Sequence, residues 1–328
     1  MSWKRLTEAL SPGQEIFVLT HENPDGDAMG SSLGFCVILD DAGYKPRFIT
    51  KGAGREGAYD WLPGQEFIMM SKTLPDMAEA AAIIALDCAD LSRCEYPVRG
   101  DQVLLNTDHH ISNPEYGGII WLDYGAGATA QVLCDMLYDA GLTPPPRAAT
   151  CFYAALVSDT GGFRFSNANA RTLRLASSLA DSGADLDLVR RRMWENRPAS
   201  ELILLKEMMS SMTVFAEGAG VLCALSYPTL MEADIMFADT DAALEIIRSS
   251  EGVEAVALLK EIKPGKVKVS LRTKDYLDGA AFMAQVGGGG HVRAAGGTIE
   301  ASFERAKEMI LASLTEALSR SGYERSLS

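Results

Sequence analysis

His21, Asp25 and Asp27 stand in the run His-Glu-Asn-Pro-Asp-Gly-Asp, behind the β-prone residues Phe17 to Thr20 and ahead of a helix-prone segment from about Ser31 to Asp41. An imidazole and two carboxylates on a turn between strand and helix suit a divalent cation. Two carboxylates so close repel unless something cationic lies beside them. Asp25 or Asp27 could instead cap the helix by accepting its free N–H groups. Capping accounts for one carboxylate, but not for His21 and the other.

Three more polar clusters follow apolar runs. Ala81 to Leu86 ends in Asp87-Cys88-Ala89-Asp90, Val103 to Asn106 leads to Asp108-His109-His110, and Ala148 to Val157 ends in Ser158-Asp159. Short continuous apolar runs of this kind read as buried parallel strands. An open α/β sheet gathers such strand ends along one edge, where ligands bind. Three of the chain's four histidines fall in these clusters. The collected set is His21, Asp25, Asp27, Asp87, His109, His110 and Asp159, with Asp90 and Asp108 nearby. One ion cannot use so many donors. Two ions can, if a carboxylate bridges them, and such pairs sit about 3.5–4 Å apart and activate water. Mixed imidazole and carboxylate donors suit Mn²⁺ better than Mg²⁺, and Zn²⁺ stays open.

The chain has 328 residues, 47% of them hydrophobic, enough for two domains with sizeable cores. Its net charge of −14 makes a poor platform for long nucleic acid, and no dense Lys/Arg run offers a channel. Small phosphorylated ligands remain compatible with a local basic cluster. The six cysteines form no C-x-x-C pair and read as buried thiols of a reduced cytosolic protein. No apolar run approaches the ~20 residues of a membrane helix, and residues 1–14 lack a signal-peptide core. A cytoplasmic protein is the expectation.

Arg47 to Thr50 and Ile119 to Leu122 read as further strands, Ala128 to Ala140 and Ala170 to Asp181 as helices, and Lys51 to Gly64 as a Gly-rich loop. After a helix-prone connector the character changes. Val221 to Ser226, Val253 to Lys263 and Val267 to Arg272 look like strands of an antiparallel kind, and Asp278 to Val286 and Ser302 to Ser319 like helices. Between those helices lies Gly287-Gly288-Gly289-Gly290-His291-Val292-Arg293. Consecutive glycines let main-chain N–H groups approach an anion, and His291, Arg293 and Arg272 add charged donors. The alternative is a flexible glycine loop beside a surface arginine. Arg164, between Phe163 and Phe165, is open to base stacking or to buried packing.

Taken in order, His21-x-x-x-Asp25-x-Asp27, Asp87-Cys-Ala-Asp90, Asp108-His109-His110 and Asp159-Thr-Gly resemble the four motifs of the DHH phosphoesterase superfamily. The glycine-rich His291 segment resembles that of the DHH-associated C-terminal domain. Length and this last motif are most similar to the nanoRNase/pAp-phosphatase (NrnA-like) branch. One departure is Ala128-Thr129-Ala130-Gln131, where many relatives carry Ser/Thr followed by Glu. The resemblance implies an α/β fold: a mostly parallel DHH domain over residues 1–190, a helical connector over 191–212, and a smaller α+β domain over 213–328 across a cleft. It implies that His21, Asp25 and Asp87 hold one metal, and that Asp27, Asp87, His109 and Asp159 hold a second, with Asp87 bridging. His110 would face the substrate phosphate or steady the ligands, and Asp108 would orient the histidine pair or serve structure alone. Gly288, Gly289, Gly290, His291, Arg293 and Arg272 would seat a substrate phosphate. The implied cofactors are two divalent ions, Mn²⁺ by preference. The implied reaction is hydrolysis of short oligoribonucleotides, and of pAp to AMP. Rival readings are a cyclic dinucleotide phosphodiesterase, a RecJ-like exonuclease and an inactive nucleotide sensor. The expected partners are short RNA or small nucleotides, with no long nucleic acid track and no membrane; a homodimer is the one assembly considered.

Overall fold

The computed structural model describes residues 2–52, 57–75 and 82–326, with the main chain alone at Ser2, at His291 and over 321–326. Ala81, part of the loop between Lys51 and Gly64, and the His291 side chain lie outside the described residues. The chain divides into two compact units, Met1–Asn196 and Arg197–Ser328.

The first unit contains α1 (Ser2–Ala9), β1 (Glu15–Leu19), α2 (Gly26–Asp41), β2 (Lys45–Thr50), β3 (Ile68–Met70), β4 (Ala82–Leu86), β5 (Val103–Asp108), β6 (Ile119–Leu122), α3 (Thr129–Asp139), α4 (Pro146–Asp159), α5 (Ala170–Asp181) and α6 (Leu186–Trp194). Its six strands are all parallel, in the order β3-β2-β1-β4-β5-β6. The chain winds outward from β1 to β3, then restarts on the other side of β1 with β4. That reversal opens a crevice beyond the carboxyl ends of β1 and β4, where His21 and Asp87 lie.

Two expectations change here. Helix α2 starts at Gly26 rather than about Ser31, because the Asp25 carboxylate caps it, accepting from the amides of Asp27 and Ala28 at 3.0 and 3.1 Å. The run Ala148 to Val157 is a helix, α4, and not a strand. It opens with Pro146 at its first position and is buried nearly all round, so its sequence shows neither polar face nor alternation.

Helix α4 nevertheless delivers Asp159 to the crevice, because it packs on the bare glycine main chain of α2. A Cβ at Gly30 would lie 2.5 Å from the Cys151 carbonyl, and one at Gly34 would lie 2.6 Å from the Phe152 ring. At Gly26 it would lie 2.2 Å from the Ser158 hydroxyl. Glycines four apart line one face of a helix, so this stripe brings the start of α2 against the end of α4.

The second unit contains α7 (Ala199–Ser210), β7 (Thr213–Phe215), β8 (Gly220–Leu225), α8 (Tyr227–Glu232), α9 (Asp241–Arg248), β9 (Ala255–Lys263), β10 (Lys266–Thr273), α10 (Gly279–Gln285), β11 (Gly289–His291), β12 (Ala294–Glu300) and α11 (Phe303–Ser326). Its sheet runs β11-β12-β10-β9-β8-β7 and is antiparallel except between β8 and β9. The stretch 191–212 is not one connector. Residues to Trp194 complete α6 of the first unit, whereas Leu204 and Met208 of α7 are fully buried in the core of the second. Among the described residues no helix is long and apolar enough to cross a membrane.

Candidate metal centre

His21 follows β1, Asp25 and Asp27 open α2, Asp87 follows β4, Asp108 ends β5 with His109 and His110 behind it, and Asp159 ends α4. Their donor atoms fall into three overlapping groups, each within 4.8 Å: His21, Asp25 and Asp87; Asp27, His109 and Asp159; Asp87, Asp108, His109 and His110. The structure therefore gathers every sequence-derived metal candidate into one crevice. Asp90 does not join them; it is exposed, and its carboxylate accepts from the Ser92 amide.

Two imidazoles are aimed. His21 Nδ1 lies 2.9 Å from the Glu22 carbonyl, and His109 Nδ1 lies 3.3 Å from that of Ala126. A carbonyl only accepts, so each Nδ1 carries the hydrogen and each Nε2 presents a lone pair to the crevice. His109 Nε2 is buried and has no hydrogen-bond partner. It stands 3.7 Å from Asp27 Oδ2, 3.9 Å from Asp87 Oδ1 and 3.6 Å from Asp159 Oδ2. These separations are too long for hydrogen bonds and suit donors that share a cation. An orphaned buried imidazole nitrogen facing three carboxylates is what a divalent ion would satisfy, so the residues fit a metal.

Asp87 is the hinge of the set. Its Oδ1 faces His109, and its Oδ2 lies 3.6 Å from His21 Nε2. Its backbone is left-handed, φ +52°, a conformation that an L-residue other than Asn, Asp or Gly seldom takes. Burial would raise its pKa, but His21, His110 and His109 together hold it below the usual carboxylate value. Asp27 is pushed well up by burial and by the charges of Asp87, Asp159 and Asp25. Asp159 is pushed up to about 6, again by burial first.

Helix α3 anchors the two buried carboxylates. The Thr129 amide donates to Asp27 Oδ2 at 2.6 Å, and its hydroxyl donates to Asp87 Oδ1 at 3.0 Å. The Ser31 hydroxyl donates to Asp27 Oδ1 at 2.8 Å. Main-chain donors at a helix start carry no residue signature, so the sequence does not mark Thr129 for this role. Asp108, fully buried, accepts from the amides of His109 and His110, from His110 Nδ1 at 2.8 Å and from Asn113 Nδ2 at 2.9 Å. Of His109 it holds only the amide, whereas its carboxylate bonds the His110 ring. That hydrogen bond pushes the pKa of His110 up to about 9, against the effect of burial.

In the second unit, the outer face of β10 carries Lys268, Ser270 and Arg272 beside a hollow of ≈ 360 Å³ whose far side is Gly289, Gly290 and Thr298. Arg272 donates to Asp241 at 2.9 Å. Arg293 donates to the carbonyls of Asp275 and Leu277 at 2.6 and 3.2 Å. The loop it holds is fixed from below by buried Glu254, which accepts from the amides of residues 274–277. Gly288 and Gly290 are needed by neighbouring main chain, since a Cβ there would meet the carbonyls of Gly296 at 2.4 Å and Ala294 at 2.6 Å. Gly289 faces open space. Lys268 is a cation that the glycine motif did not lead to; its alternation with Ser270 and Arg272 on one strand was the available signal.

A parallel sheet with His and Asp clusters along its carboxyl edge, followed by a unit built on a glycine-rich hairpin, defines the DHH class of phosphoesterases. Residues 15–156 match the DHH family, N-terminal domain, and residues 223–320 match the DHHA1 domain. The chain is 33% identical over 317 residues to the bifunctional oligoribonuclease and PAP phosphatase NrnA of Thermus thermophilus, covering 94% of this chain and 91% of that protein. It is 24% identical to NrnA of Bacillus subtilis, over 90% and 92% of the two chains. An exopolyphosphatase-related protein from Bacteroides fragilis shares the fold with a TM-score of 0.84 at 24% identity, over 96% of this chain and 95% of that one. The chain belongs to the DHH family, in its NrnA-like branch, and is a hydrolase of the phosphoesterase kind.

Proposed function

We propose that this chain is a two-metal phosphoesterase that degrades short oligoribonucleotides to mononucleotides and removes a phosphate from pAp to leave AMP. The observation that carries the reading is the Asp87 carboxylate, one oxygen toward His21 and the other toward His109, between two donor sets. The similarity to NrnA proteins over nearly the full chain supports the substrate class.

In this reading His21, Asp25 and Asp87 hold one ion, and Asp27, Asp87, His109 and Asp159 hold the other. Mn²⁺ is favoured by the mixed nitrogen and oxygen donors. When bound, the ions supply an activated water and offset the charge that develops on phosphate oxygens. Thr129 and Ser31 keep Asp27 and Asp87 pointing inward. His110, oriented by Asp108 through Nδ1, presents a protonated Nε2 to a phosphate oxygen and donates to it as the bond to phosphorus breaks. Gly289, Arg272 and Lys268, with His291 and Arg293, seat a second phosphate of the substrate. The units act as DHH domain and substrate-binding domain, joined between Trp194 and Ala199.

The test is a length series of 5′-phosphorylated RNA with Mn²⁺ at fixed salt, with pAp in parallel. We expect kcat/KM to be highest for about two to four nucleotides, where both phosphates are seated without displacing further chain. It should fall for about twenty nucleotides, whose extra phosphates meet an acidic surface. Equal or processive digestion of the long RNA would overturn the reading in favour of a RecJ-like exonuclease.

A further inference from the structure

Immediately after Asp159 the chain takes an unusual path. Gly161, Gly162 and Phe163 are all left-handed, with φ of +57°, +69° and +64°. For Phe163 that conformation is strained, by about 1–2 kcal/mol, and strain of this kind collects where surrounding structure needs a particular path. The path lays aromatic rings on bare main chain. A Cβ at Gly161 would lie 2.5 Å from the Phe165 ring, and a Cβ at Gly162 would lie 2.9 Å from the Trp194 ring. The Phe165 amide closes the turn on the Thr160 carbonyl at 3.0 Å, and Arg164 Nε donates to the Gly161 carbonyl at 2.7 Å. Asn167 ties the far end of the loop to Asp159 Oδ2 at 3.1 Å.

The rings so held are not buried. Phe165 is 47% exposed and Trp194 39% exposed. A single exposed apolar side chain is ordinary. Two aromatic rings, fixed on consecutive glycines two and three residues beyond a candidate metal ligand, are a different arrangement. The Gly161 Cα is at most about 7.6 Å from that of Asp159 along the chain, and the Phe165 ring packs directly on Gly161. Phenyl faces stack on any base, which adds affinity without reading sequence. The Arg164 guanidinium, held on the same Gly161, supplies a cation for the same ligand.

We infer that Phe165 is a stacking platform for the nucleobase of the nucleotide whose phosphate enters the metal centre, with Trp194 flanking it. This rests on the nucleotide-hydrolase reading above, and it adds which face of the first unit holds the base. It predicts a preference for nucleosides over base-free sugar phosphates that does not depend on base identity.

The experiment is calorimetric titration of the full chain with AMP and with ribose 5-phosphate, in Mn²⁺, for wild type, F165A, F165L and F165W. The two ligands share the ribose and the 5′-phosphate; ribose 5-phosphate has an anomeric hydroxyl where AMP carries the base. Wild type should bind AMP about tenfold more tightly. F165L keeps an apolar side chain on Gly161 but has no π face; it and F165A should abolish the preference while ribose 5-phosphate affinity stays unchanged. F165W should retain it. Absence of the preference in wild type, its persistence in F165L, or parallel loss of both ligands would overturn the inference. Failure of the oligonucleotide reading shows separately, as wild type that binds AMP with the base preference but does not cleave pApA.

Discussion

Thr129 holds both buried carboxylates of the centre, its amide on Asp27 and its hydroxyl on Asp87. The first bond belongs to the backbone and survives substitution; the second belongs to the side chain. Groups that orient metal ligands typically contribute ten- to a hundredfold to affinity or activity. Thr129→Val should therefore weaken Mn²⁺ binding by about tenfold or more, with little change in the metal-free melting midpoint. Thr129→Ser, which keeps the hydroxyl, should restore it. Mn²⁺ titrations of the three proteins check this, and wild-type affinity in the valine variant would refute it.

Asp87 separates chemistry from architecture. Its left-handed backbone tolerates Asn at small cost but charges Ala about 1–2 kcal/mol. Asp87→Asn should lose nearly all turnover while its metal-free midpoint stays within about 4 °C of wild type. Asp87→Ala should be equally inactive and less stable. Chelation of wild type should give the same loss, with Mn²⁺ restoring it. Activity that persists in a chelated, metal-free sample would remove the metal centre from the mechanism.

Metal binding should release protons. Asp159 is raised to about 6 and Asp27 is raised well above the ordinary carboxylate value, both chiefly by burial. An ion binds the ionised carboxylates, so protons held on them compete with it. The sign follows: affinity is weak below about pH 6 and strengthens as pH rises through that value. In the absence of metal the same raised values act the other way. The folded state holds these protons and gains stability from them at low pH, and that contribution is lost as pH rises through the folded pKa. Titration of Mn²⁺ at pH 5, 6 and 7 in buffers of different ionisation enthalpy measures the proton release. A pH-independent affinity with no release would contradict it.

What could be read beforehand and what could not divide along a physical line. His21, Asp87 and the Asp108-His109-His110 run were legible because β1, β4 and β5 are short apolar runs whose ends a parallel sheet must align. Asp159 was assigned to the right cluster through the wrong element: α4 is apolar on every side, and such a run looks like a buried strand. The early start of α2 is hidden because its first residues, Gly26 and Asp27, are weak helix formers, although Asp25 is a cap that the sequence offers. Thr129 was unreadable because the amide that matters is not a residue type. The engagement of Arg272 by Asp241 and of Arg293 by two carbonyls depends on which loop packs beside which strand. Residue identity alone marked both only as cations.

The glycine stripe of α2 brings its bare main chain against α4, meeting the Cys151 carbonyl, the Phe152 ring and the Ser158 hydroxyl, and so limits the gap between Asp27 and Asp159. The crevice then behaves as an aperture of fixed width. Ca²⁺ would accept the carboxylates but takes imidazole poorly, and it needs oxygens at about 2.3–2.6 Å where smaller cations take about 2.0–2.1 Å. A wall that cannot retreat excludes the larger ion by size. Gly30→Ala, which must push α4 away from a carbonyl 2.5 Å distant, should let Ca²⁺ compete with Mn²⁺ at lower concentration than in wild type; unchanged competition would show that the helices yield. Part of the discrimination between ions would then reside in residues that never touch one.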